Sequence, residues 1–263
     1  MASPRQRAAR WRYIQYAILV AALLAIAFLA DWAQLQRAFF DWGLVKEQFP
    51  RVLTIGLKNT IIYTACGFTF GLALGLILAL MRLSSVGPYR WLATGVIELF
   101  RGLPALVVFI GLGVGFSLAF PDYEIPFGNL GIVTLALGLV GGAYMAETIR
   151  AGIQAVPKGQ MEAARSLGMS QGRAMVSVVI PQAFRIILPP LTNELILLTK
   201  DSSLVYILGL ALEGYELTKF GREGMNSAAN LTPIVVIGLC YLLITVPLSI
   251  VVRRMESHAE RAR

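Results

Sequence analysis

Six stretches of this chain stay apolar over the length that a lipid bilayer demands of a helix. Crossing a hydrocarbon layer about 30 Å thick takes about 20 mostly apolar helical residues. Residues 13–31, 54–82, 98–120, 129–149, 178–201 and 232–252 meet that demand. Inside lipid only helices and closed barrels satisfy their own backbone groups, and these runs show no alternation of polar and apolar residues. The expected fold is an all-α integral membrane protein with about six transmembrane helices. The composition agrees: 14% of residues are charged, against about 25% in soluble domains.

The first stretch follows "RQRAARWR" and could be read as a signal peptide, but its apolar run from Ile14 to Ala30 is longer than a usual signal core. It is expected to be a retained span. If the N-terminus is inside, inner segments carry 16 of the 23 Lys and Arg residues and outer segments 7. That bias sets both termini in the cytoplasm. The net charge of +8 is therefore spread along membrane edges, which argues against nucleic acid as a partner. "QLQRAFFDWGLVKEQFP" reads as an outer amphipathic segment, with Trp32, Trp42 and Phe49 at the interface. "PYRWLATGVIELFRG" (88–102) reads as its inner counterpart, leading into a span at Leu103. Gly67, Gly71 and Gly75 form a double G-x-x-x-G, and "GLGVG" at 111–115 is a second small-residue run. Both are expected to serve helix packing.

Several chemistries lack the residues they need. Cys66 and Cys240 both sit in apolar runs, and His258 is the only histidine. A metal site, a disulfide framework and a Ser/His/Asp set are therefore not expected. No lysine follows G-x-x-x-x-G, so no nucleotide loop is present. An enzyme is not expected.

Polar residues inside spans are the remaining candidates, since lipid makes them costly. The fifth span reads "VVIPQAFRIILPPLTNELILLTKDSSL". Pro181, Pro189 and Pro190 each remove a backbone donor, so a broken helix is expected there. Asn193, Glu194, Lys200, Asp201, Ser202 and Ser203 follow. Glu194 and Asp201 are seven apart, sharing a helical face about 10 Å apart along the axis. They suggest a water-filled path for an ammonium-bearing solute. Alternatively, Glu194 pairs with an arginine and Asp201 with Lys200. Glu98 with Arg101, and Glu147 with Arg150, read as i,i+3 ion pairs near the inner boundary.

"EAARSLGMSQGRA" (162–174) is too polar for lipid and lies between two spans. Pro157 suits a helix start, Gly168 a helix stop, and Ser170 a cap for the next segment. The product is a short cytoplasmic surface helix that exposes Glu162, Arg165 and Ser166. It is either a re-entry loop or a docking helix for a soluble partner.

"EAARSLGMSQGRAMVSVVIP" resembles the EAA signature of ABC importer permease subunits, with Glu162, Ala163, Ala164 and Gly168 at the signature positions. The ending "VVIP" departs conservatively at two of them. "ELFRGLPALV", "AYMAETIRAGIQAVPKGQ" and "IPQAFRIILPPLTNELILLTKDSSL" are similar to the polar amino acid permeases of histidine, glutamine and arginine type. The resemblance covers about residues 50–253, and residues 1–49 match it less well. It implies a type I importer core of five helices with an extra N-terminal helix. Residues 155–178 would form the coupling loop and 254–263 a cytoplasmic tail. It further implies a second permease subunit, an extracytoplasmic binding protein and two ATPase subunits in a bacterial cell membrane. Those ATPase subunits would hold ATP and Mg, with no cofactor in this chain. Glu162, Ala163, Ala164, Arg165, Ser166 and Gly168 would serve ATPase coupling, and Asn193, Glu194, Asp201, Ser202 and Ser203 the substrate path. The alternatives are an ion- or proton-coupled transporter using Glu194 and Asp201, or a membrane scaffold.

Overall fold

The computed structural model describes residues 4–261, and every element among them is helical. The basic residues Arg5, Arg7, Arg10, Arg261 and Arg263, together with His258, fall outside the residues whose side chains are described. The chain runs through α1 (Pro4–Leu29), α2 (Trp32–Phe39), α3 (Trp42–Gln48) and, after a π-turn at Val52–Leu57, α4 (Lys58–Leu83). Next come α5 (Gly87–Gly102), α6 (Ala105–Ile110), α7 (Phe116–Ala119) and α8 (Asn129–Gln154). The short α9 (Lys158–Ser166) and α10 (Gln171–Ala174) lead to α11 (Ile180–Asp201), and α12 (Leu217–Ala228) and α13 (Thr232–Arg261) close the fold. Five helical stretches are long and apolar enough to cross a membrane: Trp11–Leu29, Val52–Leu83, Asn129–Gln154, Gln171–Leu208 and Thr232–Ser257. A sixth arises if the bent pair around Leu103 counts as one.

The glycine series explains how the bundle starts. A Cβ on Gly71 would lie 3.1 Å from the Gly138 carbonyl oxygen and 3.2 Å from the Gly142 nitrogen. One on Gly75 would lie 2.9 Å from the Gly142 carbonyl oxygen. Two glycine ridges therefore face each other, and α4 and α8 touch backbone to backbone, the arrangement small residues permit in lipid. Around this pair sits a core that includes Tyr63, Phe109, Leu137, Met145, Ile149, Leu191 and Leu198. The α11 helix packs on α8 and on α13, while α5 packs on both α4 and α8. The second glycine run behaves less uniformly than expected. A side chain at Gly113 would run into Leu208, whereas Gly111 has open space around it, and the run is a π-turn.

Two expectations change. The fifth span is unbroken: α11 passes through Pro189 and Pro190, and Pro181 lies in its first turn, where no helical donor is needed. A π-turn at Met175–Val179 precedes it and gives the chain its entry into the helix. The third span is the one that breaks. Pro104 pushes Leu103 into an extended conformation (φ −85°, ψ 136°). The α5 helix then meets the segment Ala105–Ala119 at 103°. The α5 helix is part of the bundle, burying Ala93 and Ile97 against Leu78 and Ala146.

The α1 helix buries none of its apolar stretch against the chain. Asp31 and Asp41 cap α2 and α3 by accepting from backbone N–H groups of Gln34, and of Gly43 and Leu44. Asn230 Nδ2 donates to the Arg37 carbonyl at 2.7 Å, and Asp41 N–H donates to Thr232 Oγ1 at 3.0 Å. Together they tie this pair to the start of α13. Glu216 is fully buried between the last two spans and caps α12. Its carboxylate accepts from the N–H groups of Thr218 and Lys219 and from the Tyr241 hydroxyl.

Replacing Gly75 with alanine should destabilise the bundle by about 1–3 kcal/mol, because backbone must move. Gly95→Ala, where nothing lies within 4 Å, should be neutral or better. Thermal unfolding in detergent reads both. Burial pushes the Glu216 carboxyl up to about 7, against the pull of its hydrogen-bond donors. The folded chain thus holds a proton that the unfolded chain releases near pH 4.5. This contribution to stability is full below that pH and is lost as pH rises through about 7. The Tm of the wild type should fall more steeply over that window than that of Glu216→Gln.

Candidate functional site

The bend at Leu103–Pro104 opens a cavity of about 520 Å³. Such a volume falls within the roughly 300–1,000 Å³ typical of small-molecule sites. Its walls come from three places: Arg101 to Ala105 at the bend, Val140, Gly141 and Tyr144 on α8, and Glu194, Leu197, Leu198 and Asp201 on α11. Continuous helix is what lets α11 present Glu194 and Asp201 to one space. Among the described residues neither carboxylate closes an ion pair within 4.0 Å.

Arg101 lies within ion-pair distance of Glu98, at 4.0 Å with the i,i+3 spacing, and its guanidinium also stacks 5.5 Å from the centre of the Tyr144 ring. The cavity lining therefore holds one cation, Arg101, and two carboxylates, together with leucines and Gly141. Tyr144 and Gly141 carried no signal in the sequence. The run "RGLP" did, because a charge followed by a helix-breaking proline inside an apolar stretch marks a bend that faces protein or water rather than lipid.

The other polar residues of the fifth span do not reach the cavity lining. Asn193 is exposed and Ser203 half-buried, both outside it. Ser202 is fully buried and donates to the Thr199 carbonyl at 2.7 Å, a hydrogen bond that closes the helix end. Glu147 does meet Arg150, at 2.7 Å, as the i,i+3 spacing predicts. Arg82 on α4 adds a second ion pair to Glu147.

The polar stretch at 162–174 folds as expected, into α9 and a capped α10. Pro157 precedes the first helical residue, and Ser170 Oγ accepts from the Arg173 N–H at 3.4 Å. The Gly168 N–H donates to the Arg165 carbonyl and the Met169 N–H to the Ala164 carbonyl, at 2.9 and 3.2 Å. This double closure needs a left-handed residue, and Gly168 has φ +85°. The Ala164 side faces inward, while Glu162, Ala163, Arg165, Ser166 and Leu167 face outward. Leu167 is 85% exposed, an apolar tip with no cover in this chain.

A family described as the binding-protein-dependent transport system inner membrane component matches residues 71–261. The chain belongs to this family. It is a non-catalytic permease subunit of an ABC transporter in the bacterial cell membrane, and the ATPase is a separate chain. The L-cystine transport system permease protein of Bacillus subtilis is 38% identical over 224 residues, 84% of this chain and 92% of that protein. An arginine transport system permease protein of Corynebacterium glutamicum is 35% identical over 277 residues, 99% of this chain and 83% of its own length. That relative spans the N-terminal region as well, where the motif resemblance was weakest. An amino acid ABC transporter solved with histidines superposes with a TM-score of 0.73 at 35% identity, covering 83% of this chain and 98% of its own. Nothing among these relatives supports the ion-coupled alternative.

Replacing Gly168 with valine should destabilise the local turn that closes α9 by about 1–2 kcal/mol at this left-handed position. Proteolysis with trypsin at Arg165 and Arg173 should then be faster in the purified protein, while the bundle's thermal unfolding changes little.

Proposed function

We propose that this chain is the translocation subunit of an importer of polar amino acids. The observation that carries the reading is the cavity whose lining holds Arg101, Glu194 and Asp201 together. A zwitterion carries a carboxylate and an ammonium, and this site offers a partner for each. The excess of carboxylates favours a substrate with a further positive charge or none. Relatives named for L-cystine and for arginine are consistent with that chemistry.

On this reading α9 docks a cytoplasmic ATP-hydrolysing subunit through Glu162, Ala163, Arg165, Ser166 and the exposed Leu167. Ala164 anchors α9 to the permease, and the Gly168 turn holds its angle. ATP and Mg are bound by that partner, not by this chain. An extracytoplasmic binding protein delivers the amino acid, and a second permease subunit, identical or related, completes the path. The positive-inside bias orients both termini toward the cytoplasm. Closing of the ATPase pair moves α9 and, through the contacts of α9 and α10 with the π-turn before α11, moves the helix that carries Glu194 and Asp201.

The complex reconstituted in vesicles should take up radiolabelled amino acids only with ATP and the ATPase subunits present. Uptake by this chain alone, driven by a proton or sodium gradient, would overturn the reading. Glu194→Gln and Asp201→Asn should each raise the KM for uptake by about tenfold or more, the cost of a lost charge-assisted hydrogen bond. Asn193→Ala, outside the cavity, should leave it unchanged.

A further inference from the structure

Glu98 occupies an unusual position beside the cavity. One of its oxygens, Oε1, lies 3.9 Å from Arg82 Nη2 and 4.0 Å from Arg101 Nη1. Neither approach is a hydrogen bond, and these two guanidiniums are its only ionic partners among the described residues. Its side chain is 60% exposed, whereas the side chains of Arg82 and Arg101 are 23% and 37% exposed. Each arginine also has a second attachment. Arg82 pairs with Glu147, which in turn holds Arg150, and Arg101 rests on Tyr144. A single exposed carboxylate thus stands between a cation that lines the cavity and a cation that joins α4 to α8.

We infer that Glu98 is a positioning residue that competes with the substrate's carboxylate for Arg101. This inference rests on the reading of the cavity as the amino acid site. With the cavity empty, Glu98 offsets part of the Arg101 charge and keeps the guanidinium against Tyr144. A bound amino acid brings its own carboxylate to Arg101, and Glu98 then turns to Arg82, which is already within reach. Glu98 therefore weakens binding of any ligand with a free carboxylate, and this keeps the substrate releasable. It has no such effect on a ligand whose carboxylate is masked. The geometry is directional: Glu98 is absent from the cavity lining while Arg101 is part of it, so Glu98 acts only through Arg101.

The test is calorimetric titration of the nucleotide-free complex, permease with its ATPase subunits, in detergent. The probes are L-arginine and L-glutamine, each paired with its carboxamide, L-argininamide and L-glutaminamide. Glu98→Gln should bind the free acids about two- to fivefold more tightly, the worth of one partly exposed ion pair, and leave the amides as in the wild type. Glu98→Asp, which keeps the charge, should restore wild-type values. Equal shifts for acid and amide, or no shift for either, would overturn the inference. Arg101→Gln tests the underlying site separately, because it should erase the preference for acid over amide. If Arg101→Gln leaves that preference intact, or if no probe binds saturably, the cavity reading itself falls. If Arg101→Gln erases the preference while Glu98→Gln changes nothing, only the competition fails.

Discussion

Everything else in this permease rests on two helices meeting without side chains between them. Gly71 and Gly75 of α4 lie against Gly138 and Gly142 of α8, with room for no Cβ between the backbones. In water such a contact would be a minor term, since no apolar area worth the name is gained. In lipid there is no comparable hydrophobic drive to hold helices together, so close van der Waals approach carries the association. The other helices are then arranged around a fixed axis. The α5 helix fills the groove on one side of the pair, and α11 packs on α8 and bridges to α13.

The consequence for function is a division of labour between straight and bent elements. Pro189 and Pro190 lie inside a helix that stays whole, which keeps Glu194 and Asp201 on a single rigid rod. Pro104 lies where the preceding residue can turn extended, and there the chain swings through 103°. The bend brings the Arg101 guanidinium and the exposed turn Gly102–Pro104 to the edge of the cavity that α8 and α11 line. Arg101 is stacked on Tyr144 and within ion-pair distance of Glu98, and Glu194 and Asp201 line the same cavity.

At the other functional element the physics is local. The α9 helix is held by the buried Ala164 and the part-buried Met161 and closed by a glycine in the left-handed region, while Glu162, Ala163, Arg165, Ser166 and Leu167 stay exposed. That face is polar and ends in the bare Leu167, with Glu162 and Arg165 beside it, and the proposed docking of α9 rests on this surface.

Much of this was legible in the amino-acid order because it depends on short-range patterns. Length and hydropathy located the spans, since lipid accepts nothing else at that depth. The helix stop at Gly168 and the cap at Ser170 were readable because each is a backbone requirement met by neighbouring residues. The sharing of one face by Glu194 and Asp201 followed from helical period. Other features were not readable. Proline is an ambiguous signal: the same residue is absorbed in α11 and breaks the chain at Leu103, and only the packing around each site decides. The place of Arg101 in the cavity lining was not readable, because local spacing says nothing about which distant helices the chain meets after it turns at Leu103. Tyr144, Gly141 and the position of Glu98 between two arginines exist only once α5, α8 and α11 are brought together. The sequence by itself determined which segments enter the membrane and where helices must stop, because those rules act on neighbours. The tertiary structure alone decided which charges share a cavity, because that depends on helices packed from distant parts of the chain.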